Sequence, residues 1–150
     1  MSQYATIADL SELVDPRTLV SLCLDAGGTG SITDPAIVAR LNGALVNASA
    51  KADGYLRAFV DVPLAAPVDA TIKLHVCEFA IELIYGRRAG ASANPRKDGE
   101  LQAAYEYFEH VRAGIIKFDN LGTTERACTL RSTTEDVTPT FTKDSLEVLG

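Results

Sequence analysis

The chain has 150 residues, of which 47% are hydrophobic, and a formal net charge of −6 at pH 7. A chain of this length fits one domain that folds without disulfide or metal staples. The acidic balance opposes non-specific attraction to nucleic acid or to an anionic membrane, and no apolar run approaches the ~20 residues of a membrane span. The N-terminus lacks a basic segment followed by an apolar run, so we expect no signal peptide and a protein of the cytosol.

Two short helices are predicted at the start of the chain. Thr6 caps a helix over 7–13, with Asp9 completing a capping box. A second helix starts at Asp15-Pro16, because proline is pre-organised for the first helical position. A glycine cluster at 27–30 ends this helix. It is not a phosphate-binding loop, since no lysine follows it and the segment before it is predicted to be helical.

A long helix is predicted from Asp34 to about Phe59. Its apolar stripe follows heptad spacing and indicates packing along the whole length of the helix: Val38, Leu41, Leu45, Ala48, Ala52, Tyr55 and Phe59. The other face carries polar residues that suit solvent or partner contacts: Arg40, Asn42, Asn47, Lys51, Asp53 and Arg57. Gly43 and Gly54 lie inside the helix at a cost of about 1 kcal/mol each, and either admit a close-packing helix or are simply tolerated.

Two further helices are predicted after an extended segment at 60–64. Apolar residues cover most of the circumference of the fourth helix, about Val68 to Arg87. This helix is therefore expected to be central and buried by neighbours in its own subunit or in a partner subunit. The fifth helix runs from Asp98 to about Lys117. Its predicted buried stripe is Leu101, Ala104, Tyr105, Phe108, Val111 and Ile115.

The composition changes after residue 118. Residues 123–142 contain eight threonines, which favour extended structure, while Pro139 keeps its segment off a central strand. We therefore predict a mainly α protein: a bundle of about five helices over residues 1–118, then an extended, partly β C-terminal arm over residues 119–150.

Candidate chemistry is sparse. Glu78 and Glu82, like Glu106 and Glu109, lie one helical turn apart, but no histidine has the Glu-x-x-His spacing of di-iron bundles, so a partly exposed polar edge is the better interpretation. The three cysteines, Cys23, Cys77 and Cys128, are expected to be small buried thiols in a reducing compartment. We predict no catalytic residue, no metal site and no cofactor.

The one local concentration of charge is the basic cluster Arg87, Arg88, Arg96 and Lys97. Three interpretations remain open for it: cations that complement a helix C-terminus, contacts with another protein, and contacts with DNA phosphates.

Six motifs follow one another along the chain: Tyr4-Ala5-Thr6-x-x-Asp9-Leu10, Ile37-Val38-x-x-Leu41-x-x-Ala44, Ala48-Ser49-Ala50-x-x-Asp53-Gly54-Tyr55-Leu56, Phe59-Val60-Asp61-Val62-Pro63-Leu64, Cys77-Glu78-Phe79-Ala80 and Tyr105-x-x-x-Glu109-x-x-x-Ala113-Gly114. They cover roughly residues 3–118 and leave most of the arm unmatched. In this order and spacing they resemble the Mu-like phage head–tail adaptor family.

The resemblance implies a virion protein of the head–tail neck without enzymatic activity. Such proteins form a homomeric ring, expected to be a dodecamer, beneath the portal protein. The ring extends the DNA channel without sequence-specific binding and docks neck or tail proteins. Candidate interface residues are Arg40, Asn47, Lys51, Arg57, Arg87, Arg88, Arg96, Lys97, Leu130, Thr138 and Phe141. The alternatives are a small soluble helical-bundle enzyme or ligand-binding protein and, more weakly, a helical DNA-binding regulator.

Overall fold

A computed structural model of the chain describes residues 3–24, 29–87 and 94–116. Within these ranges it contains five α-helices, which confirms the mainly α class. They are α1 (Ile7–Leu13), α2 (Pro16–Cys23), α3 (Pro35–Leu56), α4 (Ala70–Arg87) and α5 (Gln102–Arg112). The predicted arm lies outside the described residues, and the division at residue 118 stays a prediction.

Local signals start the first two helices as predicted. The backbone amide of Asp9 donates to the Thr6 hydroxyl at 3.3 Å, and the Thr6 amide donates back to the Asp9 carboxylate at 2.6 Å, so the capping box is complete. Pro16 stands in the first turn of α2, and the Asp15 carboxylate accepts the Arg17 amide. These hydrogen bonds satisfy amides that the helices themselves leave unpaired.

The buried stripe of α3 differs from the predicted one. Its fully buried apolar residues are Ile37, Leu41, Leu45, Ala48, Ala52 and Leu56. Ile37 therefore replaces Val38, and Leu56 replaces Tyr55 and Phe59, because the helix ends at Leu56 and Phe59 falls beyond it. The successive spacings of four, four, three, four and four residues average about 3.8 residues per turn, which is longer than the 3.5 of a heptad seam.

Helix α4 occupies the centre of the bundle and contacts α1, α2, α3 and α5. It starts at Ala70, two residues later than predicted. Its own subunit leaves two apolar side chains of this helix exposed, Leu74 at 43% and Leu83 at 39%, and burial of these two by a partner subunit stays a prediction. Four neighbouring helices cover most of its circumference but leave these two side chains outside.

Contacts between side chains show how the three longer helices, α3, α4 and α5, run relative to one another. Tyr55 of α3 stacks on Phe79 of α4, and His75 of α4 packs on Tyr107 of α5. Lys51 of α3 meets Glu82, further along α4 than Phe79, so α3 and α4 are antiparallel. Phe79 in turn packs on Tyr105, which makes α4 and α5 antiparallel as well. The C-terminal ends of α3 and α5 therefore lie at the same end of the bundle.

The fifth helix is shorter than predicted. A π-helical turn over Lys97–Leu101 precedes α5, which ends at Arg112. Leu101, Ala104, Phe108 and Val111 are buried as predicted and Tyr105 is half-buried, but Ile115 is 69% exposed. The stripe prediction fails at Ile115 because Gly114, with a φ of 70°, turns the chain out of the helix one residue earlier.

Candidate interaction surfaces

Two predicted interface arginines meet at the C-terminus of α2. Arg87, at the end of α4, donates from Nη1 to the carbonyl oxygen of Cys23 at 3.0 Å, and Arg40 of α3 donates to the same oxygen. The carbonyls at a helix C-terminus carry partial negative charge, so two guanidinium groups there are stabilising. The two arginines thus connect three helices at this end of the bundle.

Cys23 itself is buried, and so is Cys77, as predicted. Burial raises the pKa of the Cys23 thiol, although the neighbouring Arg87 and Arg40 oppose the rise. Burial also raises the pKa of Cys77, to about 12. Both thiols therefore stay protonated near neutral pH and behave as small apolar side chains. Cys128 lies outside the described residues.

Glu78 corrects the prediction of a partly exposed acidic edge. It is only 1% exposed, in the middle of α4, and its carboxylate is bound by Arg96 from the segment before α5. Arg96 donates from Nε to both carboxylate oxygens, at 3.1 and 3.0 Å, and from Nη2 to Oε1 at 2.5 Å. These hydrogen bonds raise the pKa of Arg96. A planar guanidinium that satisfies both oxygens offsets the cost of burying the carboxylate.

The ammonium group of Lys51 lies over two neighbouring aromatic rings. Its Nζ lies 4.3 Å from the ring centre of Phe79 and 4.4 Å from that of Tyr105. It donates to the Tyr105 hydroxyl at 2.5 Å and to Glu82 at 3.1 Å. Burial lowers the pKa of Lys51, but the hydrogen bonds to Tyr105 and Glu82 outweigh it and the net shift is upward. This ammonium therefore links α3, α4 and α5 within the chain.

The remaining predicted interface residues divide into two groups. Asn47, Arg57 and Lys97 are exposed. Arg88, Leu130, Thr138 and Phe141 lie outside the described residues. Of the basic cluster, Arg87 and Arg96 bind groups of the same chain, although Arg87 is exposed, and Lys97 is exposed at the start of the π-helical turn.

The exposed side of α3 is a ridge of small residues. We define the α3 ridge as Ala36, Ala39, Gly43, Asn47, Ala50, Gly54 and Ala58, all of which are exposed. A Cβ built at Gly43 or at Gly54 meets no atom within 4 Å. Packing within the described residues therefore does not require glycine at either position, although each costs helix stability.

Sequence reasoning missed four exposed apolar side chains: Phe59, Leu74, Leu83 and Ile115. Phe59 lies close to Gly114, the residue before Ile115, because a Cβ built at Gly114 would stand 3.8 Å from Cε1 of Phe59. A glycine just after the buried stripe of the fifth helix was the available signal, since glycine at this point commonly ends a helix.

Other clusters offer little chemistry. The described residues contain no group of three or more His, Cys, Asp or Glu side chains that could hold a metal ion. His75 is half-buried against Tyr107 and Phe108, and its Nδ1 is buried without a hydrogen-bond partner. Burial lowers the pKa of His75, with a small opposing influence from Glu78. None of the helices in the described ranges combines the length and apolar character needed to cross a bilayer.

The fold and these surfaces define a small helical bundle whose buried charges brace its helices. The family model described as "Bacteriophage Mu, Gp36" matches residues 4–137. The chain therefore belongs to the bacteriophage Mu Gp36 family and is a phage protein, as the motifs predicted. The match continues past residue 118 and includes the first part of the predicted arm. Comparison with curated proteins gives no match.

Proposed function

We propose that this chain is a head–tail adaptor: a structural protein without enzymatic activity that forms a homomeric ring, a dodecamer, beneath the portal. Membership of a bacteriophage Mu protein family over residues 4–137 is the observation that carries the proposal. In the proposed ring the DNA channel continues through the adaptor, and the outer end docks neck or tail proteins. The location would be the neck of the virion.

The charge of the chain supports this role. A net charge of −6 gives a channel wall that does not grip the DNA phosphates, as a strongly basic wall would. Two arginines of the basic cluster, Arg87 and Arg96, already bind groups inside the chain. The cluster is therefore better suited to holding the bundle rigid than to following a DNA backbone.

The α3 ridge is the surface that we propose as the side-by-side contact between subunits. Gly43 and Gly54 cost helix stability although a Cβ added at either position would meet no atom within 4 Å among the described residues. Small side chains let two helices approach closely. Asn47 and Arg57, both exposed, lie on the same side of α3 and supply polar contacts. In the assembled ring the arm over 119–150 would lie against a neighbouring subunit or an adjoining ring component.

A matched pair of variants tests the ridge. Ala50 and Ala103 are both exposed alanines on helices, but only Ala50 belongs to the α3 ridge. Ala50→Trp is expected to reduce the ring population in native mass spectrometry of the chain mixed with its portal protein, and Ala103→Trp is expected to leave it unchanged. Equal effects of the two substitutions on the ring population would contradict the proposal that subunits contact one another through the α3 ridge. A wild-type chain that stays monomeric and never binds portal would remove the ring itself.

A further inference from the structure

An apolar patch stands at the end of the bundle where the described chain stops. We define the end patch as Phe59, 43% exposed, and Ile115, 69% exposed. Phe59 follows the last turn of α3, and Ile115 follows α5, so the patch joins the C-terminal ends of two helices. Gly114, the residue directly before Ile115, lies beside the Phe59 ring, since a Cβ built on it would stand 3.8 Å from Cε1 of Phe59.

Backbone geometry holds Ile115 in this exposed position. The amide of Gly114 donates to the carbonyl of Val111 at 2.9 Å, and the amide of Ile115 donates to the carbonyl of His110 at 2.9 Å. These two hydrogen bonds form a Schellman motif, in which the residue at the position of Ile115 usually packs on the last turn of its own helix. Ile115 instead stays largely exposed, so its apolar side chain faces solvent while these two hydrogen bonds fix its backbone.

The size of the end patch limits what can cover it. At the areas typical of side chains of this size, the two residues expose on the order of 200 Å². A stable interface between two folded proteins needs about 800 Å² from each partner. The end patch alone is therefore too small for a folded partner, but it fits two or three apolar side chains of a chain segment.

The chain itself supplies such a segment at this place. Residues 117–150 continue from Ile116, directly beside the patch, and the family match extends into them as far as residue 137. The apolar residues of the matched part include Phe118, Leu121 and Leu130. A tethered segment meets a nearby surface at an effective concentration in the millimolar range, whereas a second copy is present at about 10 μM in a typical sample. Covalent attachment thus favours the chain's own segment by about a hundredfold.

We propose that residues 117–137 of the same chain cover the end patch in the free subunit, with apolar side chains from Phe118, Leu121 and Leu130 seated on Phe59 and Ile115. This contact shields the apolar end of the bundle before any assembly takes place. It concerns the isolated subunit and does not depend on the proposed ring.

Hydrogen–deuterium exchange of the full-length chain at about 10 μM tests the proposal. Peptides from residues 117–137 are expected to exchange more slowly than an unstructured chain. Ile115→Ser and Phe59→Ser are each expected to speed that exchange at least about fivefold. Leu83→Ser is the control, because it removes an exposed leucine of α4 outside the patch, and it is expected to leave residues 117–137 unchanged. Peptides from α3 and α4 report whether the bundle stays folded. If Phe59→Ser speeds exchange in these helices as well, the result of Ile115→Ser, at the more exposed position, decides the test.

Three results would overturn the proposal. The first is exchange of residues 117–137 at the rate of an unstructured chain in the wild type. The second is protection that none of the patch variants reduces. The third is protection that declines on tenfold dilution, which would identify a second copy as the occupant. A failed ring experiment with portal leaves all three readouts unaffected, so the two proposals can fail separately.

Discussion

The hydroxyl of Tyr4 accepts a hydrogen bond from the backbone amide of Leu64, at 2.9 Å and 60 residues further along the chain. The same hydroxyl donates to the carboxylate of Asp53 on α3. The backbone amide of Tyr4 donates to the hydroxyl of Ser49 at 3.0 Å, one α3 turn before Asp53. Tyr4 thus fixes the N-terminal segment and the turn after α3 on a single helix.

This relationship explains why separate motifs identify the family. Tyr4, Asp53 and Leu64 belong to three of the motifs that carry the resemblance, and they meet at one hydroxyl group. Ser49, from the same motif as Asp53, is completely buried and also donates to the carbonyl of Leu45. The order of the motifs therefore reflects contacts of one packing arrangement.

Tyr4→Phe is expected to lower the free energy of unfolding by about 1–3 kcal/mol, since it leaves the buried amide of Leu64 without an acceptor. Urea denaturation monitored by circular dichroism measures the change. Tyr107→Phe is the matched control: no hydrogen bond of its hydroxyl is found in the described ranges, so its effect should stay within about 0.5 kcal/mol. Equal losses in the two variants would contradict the role of the Tyr4 hydroxyl.

Arg96→Met is expected to destabilise the chain by about 3–5 kcal/mol, because it leaves the Glu78 carboxylate buried and uncompensated. Replacing both partners by methionine is expected to recover much of the loss. Arg112→Met removes a surface pair with Glu109, formed at 2.9 Å, and should cost no more than about 0.5 kcal/mol. The denaturant midpoints of the wild type, Arg96→Met, the double variant and Arg112→Met measure these losses of stability. If Arg96→Met costs no more than Arg112→Met, the pair does not brace the bundle.

Acidification below pH 6.5 is expected to reduce stability through His75. Burial lowers the pKa of His75 from its ordinary value of 6.5, so the unfolded chain binds the proton first as the pH falls. The contribution of neutral His75 to the free energy of unfolding is fully present above pH 6.5. As the pH falls from 6.5 toward the folded-state pKa, the free energy of unfolding declines by at most about 1.4 kcal/mol per pH unit. Thermal unfolding between pH 7.5 and 5 is expected to show this slope. His75→Phe is expected to remove most of this pH dependence, whereas His110→Gln, at an exposed position, is expected to keep it. If His110→Gln removed the pH dependence and His75→Phe kept it, His75 would not be its source.

Alanine at the two glycines of the α3 ridge is expected to stabilise the isolated subunit. Gly43→Ala and Gly54→Ala each add a Cβ that meets no atom within 4 Å, so each gains about 1 kcal/mol of helix propensity. Gly114→Ala is the opposing control, because a φ of 70° costs an L-residue about 1–2 kcal/mol. Urea denaturation of the three variants measures these changes. Destabilisation by Gly43→Ala would show that α3 is packed differently at that turn.

Helix starts could be predicted because their signals are local. The capping box of Thr6 and Asp9 and the proline at the start of α2 are complete within four residues of sequence. The phase of the α3 stripe could not be predicted from spacing alone, because apolar residues stand at both 37 and 38 and at both 55 and 56. Which of them faces the core depends on where the helix ends and on its neighbours.

The environment of Glu78 could not be predicted for a different reason. Its partner Arg96 comes from 18 residues away, beyond the end of the same helix, and no local pattern announces that pairing. Lys51 is similar, because the two aromatic rings that flank it come from α4 and the fifth helix. Arg96 and Lys51, which the sequence predicted to be interface residues, thus form contacts between helices of the same chain.

Immunogold labelling of assembled phage particles with an antibody against this chain tests the central claim most directly. The account predicts label confined to the junction between head and tail. Label along the tail, over the capsid surface or absent from particles that contain every other structural protein would contradict it.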